Sequence, residues 1–582
     1  MRQHVHVLSA LLLLAALSAF VGPRAEAARA EDGEGAARPF VVALPDDADT
    51  RGDWIGSYGS YVYILCGMRA PSSLYGGEGW PIDFSAATGD PEEAVRAWRS
   101  TAPAEGDRSV LREPSGLRRT PAIYDDHGEV RPLGAGPDLH FRLSIPEGPF
   151  LLSLYFFEVD WVQYRSYRIR IYAAGEDEPL VTSQIADFLK GKYSRYAAIG
   201  PADLRIVIER GDSPNAVVSA VFLDRLVAPD LQLFEDLADP DVTADTGRPL
   251  EPDAADEAAR AALVRLGEAP TDAARADAYV CAEWRCVRSL QTAGAASPAD
   301  YYGRLNGLWE PVEERLRSAF ESLPPGARRS EAGLLRYFAA RARCDYAAAR
   351  TAARTLAAGV LDDSLAGREP WMSGALMLGQ CAGALLDEGR RAEATPFVDA
   401  YAALSLAKEE PERARDNLLR LADKALKAGV PQPVASALER WQAAHGPLDA
   451  RGRLMLGSLY YVGGKNAETY ETLRTVEAEL TDPTQRMWCL IVMFTALLRT
   501  DRIEEAQALL VRLEREYPGA PELDDAHYRL GVHHYDRRNL AAARRRFELL
   551  RDSTQSVVYQ EMCREYIERI SHLEELRQLK GR

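Results

Sequence analysis

The sequence predicts a multidomain α+β protein, an N-terminal β-sandwich followed by an α-solenoid of helix pairs. From Pro39 to about Arg225, short runs alternate apolar and polar residues between Gly, Pro and Asp breaks, the period of strands. From Asp256 onward Ala, Leu, Glu and Arg dominate, and Gly and Pro serve as punctuation between helical patterns. In that second half a turn followed by a small Ala recurs, so the pattern is one of repeats.

Residues 1–27 read as a secretory signal. An apolar run from Leu8 to Val21 is broken by Gly22 and Pro23, and Ala25-Glu26-Ala27 offers the small-x-small pattern of a cleavage site. The run is too short to span a bilayer comfortably, and no Cys lies near the cut to take a lipid. An extracytoplasmic, soluble protein, periplasmic or secreted, is expected, with no membrane attachment after cleavage. Removing Arg2, Arg24 and Glu26 moves the net charge from -17 to -18. Such acidity argues against nucleic acid, whose phosphates need clustered Lys and Arg. The seven Cys, scattered and odd in number, make no disulfide framework.

The strands expected next are Pro39–Leu44, Tyr61–Leu65, Leu139–Ile145, Phe150–Phe157, Tyr167–Tyr172, Leu204–Glu209 and Ala216–Leu223, with a helical patch at Pro91–Arg99. Three stretches read together, Asp49–Gly59, Leu151–Trp161 and Asn215–Asp224, with the aromatic-flanked turn Phe188–Tyr196, resemble the malectin-like, galactose-binding-like jelly-roll modules of bacterial extracellular proteins. The resemblance covers residues 39–228 and implies a carbohydrate-binding fold. Sugars offer C–H faces to aromatic rings and hydroxyl pairs to carboxylates. The sugar-site candidates are therefore Asp53, Trp54, Tyr58, Asp160, Trp161 and Tyr193. Tyr155, Phe156 and Tyr61 to Leu65 read as core, and Asn215 and Asp224 as turn-holding groups.

Weaker signals resolve to structure. Asp47, Asp49 and Asp53 approach a calcium-loop spacing, but Arg51 takes a ligand place and Tyr58 stands where the closing Glu belongs. Arg51-Gly52-Asp53 is an adhesion tripeptide, yet Arg210-Gly211-Asp212 repeats it in a second loop. Asp125, Asp126, His127 and His140 read as a turn before a metal site. No cofactor and no metal is expected.

Residues 229–255, rich in Asp and Pro, read as a linker or surface strap, and 256–575 as the helical repeats. In Asp524–Leu550, Ala526, Leu530, Gly531 and Tyr535 share one helical face, and Leu540, Ala543, Phe547 and Leu550 another. Small residues at Gly531 and Ala543 let two helices approach, and Phe547 fills the gap. This stretch resembles a tetratricopeptide repeat, with Met493, Leu497, Ile503, Ala506, Leu510, Leu513 and Pro518 as the preceding copy. Earlier copies are placed by Ala349, Ala394, Ala435 and Ala467, giving roughly six helix pairs in a right-handed superhelix. His527, His533 and His534 read as packing or surface groups.

There is no His-Glu-x-x-His, Gly-x-Ser-x-Gly, Walker loop or Cys-x-x-Cys. The expectation is an exported, non-enzymatic scaffold that binds protein or peptide through the repeats and glycan through the sandwich. The alternatives are a structural envelope assembly factor that binds protein through both halves and a carbohydrate-active hydrolase, which would need two facing carboxyl groups.

Overall fold

A computed structural model describes residues 39–69, 72–77, 82–83, 96–99, 107–114, 119–126, 137–158, 165–226, 230–238, 252–296, 298–388 and 390–580. The signal segment lies outside them. The chain divides into two compact units between Glu409 and Glu410.

The first unit opens with the sandwich. Its strands are β1 (Phe40–Asp47), β2 (Val62–Arg69), β3 (Ser72–Gly77), β4 (Ile82–Asp83), β5 (Arg96–Arg99), β6 (Ala122–Asp125), β7 (Leu139–Phe156), β8 (Ser166–Ala173), β9 (Val181–Ala186), β10 (Lys192–Glu209), β11 (Val217–Val218) and β12 (Ala220–Arg225). The antiparallel strands β7 and β10, 18 residues each, organise the domain. Toward Phe156 and Lys192 they are flanked by β12 and β1. Toward Leu139 and Glu209 they are flanked by β4 and β8. A small sheet ordered β11-β6-β5 packs against β2 and β7.

Leu139–Ile145 and Phe150–Phe157 are expected from the sequence as two strands. They form one strand, in which Gly148 pairs with Gly200 and the register shifts between Gly200 and Ala202. A Cβ on Gly200 would lie 2.0 Å from the Pro146 carbonyl oxygen, so a glycine is required where the two backbones come this close. At Pro91–Arg99, where a helix was expected, Arg96–Arg99 is a strand paired with β6, so pairing overrode local propensity. The core is aromatic, with Phe141, Phe150, Tyr155, Phe156, Tyr167, Phe188, Tyr193 and Tyr196 all buried.

The helices of the first unit are α1 (Gln232–Leu237), α2 (Pro252–Glu268), α3 (Asp272–Ala296), α4 (Pro298–Arg304, continued by a π turn at Leu305–Trp309), α5 (Glu313–Glu321), α6 (Ala327–Ala342), α7 (Tyr346–Leu365), α8 (Trp371–Asp387) and α9 (Arg391–Lys408). The Asp- and Pro-rich stretch is thus partly a fastened strap. Leu231 and Phe234 are buried, and Phe234 lies 4.8 Å from the Trp284 ring. The second unit holds α10 (Pro411–Ala428), α11 (Pro431–His445), α12 (Ala450–Val462), α13 (Asn466–Leu473), α14 (Pro483–Arg499), α15 (Ile503–Glu516), α16 (Glu522–Asp536), α17 (Leu540–Ser553) and α18 (Val557–Lys580).

Six hairpins, α6/α7 through α16/α17, share one turn. An amide donates to the carbonyl five residues back in each: Asp345 to Ala340, Arg390 to Leu385, Val430 to Ala425, Lys465 to Tyr460, Arg502 to Leu497 and Asn539 to His534, all at 2.8 to 2.9 Å. This is the Schellman closure, in which a left-handed residue ends the first helix. Cys344, Gly429, Gly464, Asp501 and Arg538 supply that residue with positive φ. Four residues after each donor sits a fully buried side chain: Ala349, Ala394, Val434, Thr469, Ala506 and Ala543.

The register is thereby fixed, with two corrections. Val434 and Thr469 hold the places expected of Ala435 and Ala467, and Ala467 is exposed. In the last hairpin a Cβ on Gly531 would meet the Phe547 ring at 2.7 Å, and in α12/α13 one on Gly457 would meet Leu473 at 2.5 Å. A missing side chain on the first helix is filled by a large one on the second.

Candidate functional site

The sandwich residues expected to line a sugar groove are distributed between core and surface. Trp54 is 4% exposed; its ring packs on Tyr63 and Phe222, and its indole Nε1 donates to the Arg112 carbonyl at 2.7 Å. Tyr58 and Tyr193 are 2% and 0% exposed and stack at 4.1 Å. A ring enclosed on both faces has none to offer a sugar. These three are core members. Asp53 alone of the described candidates reaches solvent, and Asp160 and Trp161 lie outside the described residues.

What Tyr58 and Tyr193 do instead is hold the helices to the sandwich. The Tyr346 ring, at the start of α7, meets Tyr58 edge-on at 5.2 Å, and Cys344 and Tyr346 belong to the sandwich core. Arg195 donates from Nε to the Pro45 carbonyl at 2.7 Å and from Nη1 to the Cys344 carbonyl. Arg350 donates to Thr50 Oγ1 at 2.7 Å. Thr50 and Tyr58 in turn donate to Asp47, at 2.5 and 2.8 Å. Burial alone would raise the Asp47 pKa; the Thr50 and Tyr58 hydrogen bonds and the Arg350 charge outweigh it and hold the carboxyl below its usual range. Burial, then Asp47, pushes the Tyr58 phenol well up, so it remains a donor.

Sequence reasoning missed Arg195, Tyr346 and Arg350. The one trace they leave is Tyr346, an aromatic at a hairpin turn, where polar residues are the rule.

Asp53 is the centre of an arginine cluster. Arg112 Nε lies 2.6 Å from Oδ1, Arg108 Nε 3.1 Å from Oδ2, and Arg119 also pairs with Oδ1. The loop is held by Gly52, whose amide donates to the Arg108 carbonyl at 2.8 Å and whose carbonyl accepts from Arg112 at 3.1 Å. A Cβ there would sit 2.0 Å from the Val110 oxygen, so the Arg51-Gly52-Asp53 tripeptide is a packed turn. Burial would raise the Asp53 pKa, but the Arg112, Arg119 and Arg108 contacts bring it below the usual carboxylate range.

The remaining signals are structural. Asp47 closes its own turn through the amides of Asp49 and Thr50. Asp224 accepts from the amides of Gly59 and Ser60, and Asn215 accepts from Arg165. Asp126 accepts from the Ala216 amide; His127 lies outside the described residues. His527 pairs with Glu514 at 3.0 Å and His533 with Asp501 at 3.3 Å. Among the described residues no group of three or more His, Cys, Asp or Glu is placed to hold a metal ion. All seven Cys are free thiols.

Taken together, sandwich and hairpins define a class: a β-sandwich joined to tetratricopeptide-like helix pairs. No protein-family model and no curated protein matches the chain. Among solved structures, it is similar to a tetratricopeptide repeat protein from Parabacteroides merdae, at 11% identity, with 46% of this chain and 98% of that one covered and a TM-score of 0.20.

Proposed function

We propose that this protein is an exported, non-enzymatic scaffold whose helix pairs dock a protein partner, with the sandwich as a rigid base. The observation that carries it is the exposed apolar face of α8. Met372 and Leu376, one turn apart, are 64% and 54% exposed, and Leu365, just upstream at the end of α7, is 42% exposed. Large apolar side chains aligned on one helical face are the chemistry of a protein contact rather than of catalysis. Of the two halves, the sandwich supports the protein-binding reading better than the sugar one, because Trp54, Tyr58 and Tyr193 are spent on packing. Export rests on the signal pattern of residues 1–27.

A photo-crosslinking amino acid at Leu376 tests the reading. In envelope extract it is expected to yield one protein adduct that survives excess mixed glycans and disappears when Met372→Glu is added. Retention by immobilised glycans with no protein adduct would refute it.

A further inference from the structure

The strap of the first unit rests on three of its helices. Leu231 and Phe234 are fully buried, Phe234 against the Trp284 ring of α3. Glu235 pairs with Arg288, one turn further along α3, at 3.7 Å. The segment also touches α6 and α8, the first helices of two neighbouring hairpins. Six residues are too few to hold a helix in isolation, so α1 is helical because it is packed here. Its hold is slight. Leu233, Leu237 and Ala238 are half-buried, and Gln232, Glu235 and Asp236 are exposed.

The fit between strap and helices is incomplete. A cavity of about 110 Å3 stays open beside Leu233, lined also by Leu334, Tyr337 and Phe338 of α6 and by Cys381 and Leu385 of α8. A cavity of about 150 Å3 holds a benzene ring, so this one has room for a branched aliphatic group. The polar groups on its wall are already paired: Arg390 pairs with Glu388 at 2.5 Å and donates to the Tyr337 hydroxyl at 3.1 Å, and that hydroxyl donates to Glu393 at 2.5 Å. The space therefore asks for an apolar group. Trp284, under Phe234, carries a second defect. It is 1% exposed, and among the described residues its indole Nε1 has no hydrogen-bond partner. A void and an orphaned donor at one docking face mark an occupant held there by its tether more than by its fit.

We propose that the face of α3, α6 and α8 under the strap docks a short amphipathic helix of the protein partner, which displaces residues 230–238 by filling the site better. This rests on the scaffold reading and names the chemistry of the partner. The strap's own contacts give the pattern. Apolar residues three apart take the places of Leu231 and Phe234, an acidic residue after the second meets Arg288, and a larger apolar group than Leu233 enters the cavity. A tethered strap competes at about millimolar effective concentration, so segments that fit no better than it does stay out. The same α8 carries the exposed Met372 and Leu376, so one helix presents both contacts.

The test uses the full-length protein and a fluorescein-labelled peptide of residues 230–238, followed by anisotropy. In the Phe234→Glu protein a charge replaces the buried ring and frees the strap; the peptide should bind at least about tenfold more tightly than to the unaltered protein. Glu235→Arg sets a like charge against Arg288 at an exposed position and should raise affinity about threefold without touching the core. On the Phe234→Glu protein a Phe234→Ala peptide should bind at least about tenfold more weakly, and a Leu233→Phe peptide about threefold more tightly. No binding to either protein variant, equal binding of the Phe234→Ala peptide, or no gain from Leu233→Phe would overturn the proposal. Loss of the folded state in Phe234→Glu, read by circular dichroism, would show a strap integral to the fold and overturn it equally. The Leu376 crosslink keeps the two readings apart: an adduct that persists where no peptide binds removes the docking face and leaves the scaffold, whereas peptide binding with no adduct removes the scaffold's α8 contact and leaves the docking face.

Discussion

Tyr58→Phe separates a packed strut from a sugar platform in one atom. The change removes the hydroxyl that donates to Asp47 Oδ2 at 2.8 Å and keeps the ring stacked on Tyr193 and edge-on to Tyr346. Asp47 retains the Thr50 hydroxyl at 2.5 Å and the amides of Asp49 and Thr50 at 2.9 and 3.0 Å. One hydrogen bond to a buried, ionised group is lost, a cost of about 1.5–3 kcal/mol. That is about 10- to 150-fold in the folded-to-unfolded ratio. The pH dependence gives a second reading. Asp47 has a folded pKa below 3.8, so its contribution is present above that value and fades as pH falls through the lowered one. Weakening the bond brings the folded pKa back toward 3.8, so the variant's deficit shrinks in acid. Urea unfolding at pH 7 and pH 3, followed by tryptophan fluorescence, measures both. A change within about 0.5 kcal/mol at pH 7, as expected of an exposed ring, would refute the strut.

Two further outcomes test the hairpins. Phe547→Ala leaves the space above Gly531 empty and should cost about 3–5 kcal/mol; hydrogen exchange should rise across α16 and α17, and no change there would show that the contact does not carry the hairpin. His527 accepts from Arg546 Nη1 at 2.9 Å through Nδ1, which requires a neutral ring, and faces Glu514 through Nε2 at 3.0 Å. Burial and then Arg546 lower its pKa, against the pull of Glu514 and Asp524. A base that folds neutral loses stability as pH falls through its unfolded value near 6.5. Exchange in α16 should therefore quicken between pH 7 and pH 5.5, and His527→Gln should flatten that dependence.

The helical half was the more legible because its rule is local. A left-handed residue, a turn and a buried small side chain all fall within ten residues, so Ala349, Ala394, Ala506 and Ala543 could be picked from the chain alone. The rule failed where its residue type changed: Thr469 and Val434 occupy the same place with different chemistry, and reading for Ala passed over both. What fixes the register is backbone hydrogen bonding, common to all six hairpins, and side chains only report it. The sandwich was legible as strands but not as pairings. The Pro146-Glu147-Gly148 segment carries turn residues inside a continuous strand because Gly200 stands opposite Gly148, a fact written 52 residues away.

The aromatic residues of the sandwich show why a site is harder to read than a fold. Trp, Tyr and a nearby carboxylate are the composition of a sugar groove and equally of a buried strut, because an amphipathic ring satisfies both. Distance along the chain decides between them. Tyr58 and Asp47 are eleven residues apart and could be paired from sequence, but Tyr346, Arg350 and the Cys344 carbonyl, which turn the same residues into a joint, come from a hairpin about 300 residues further on. That joint lies where the sandwich and the α6/α7 hairpin meet within one compact unit.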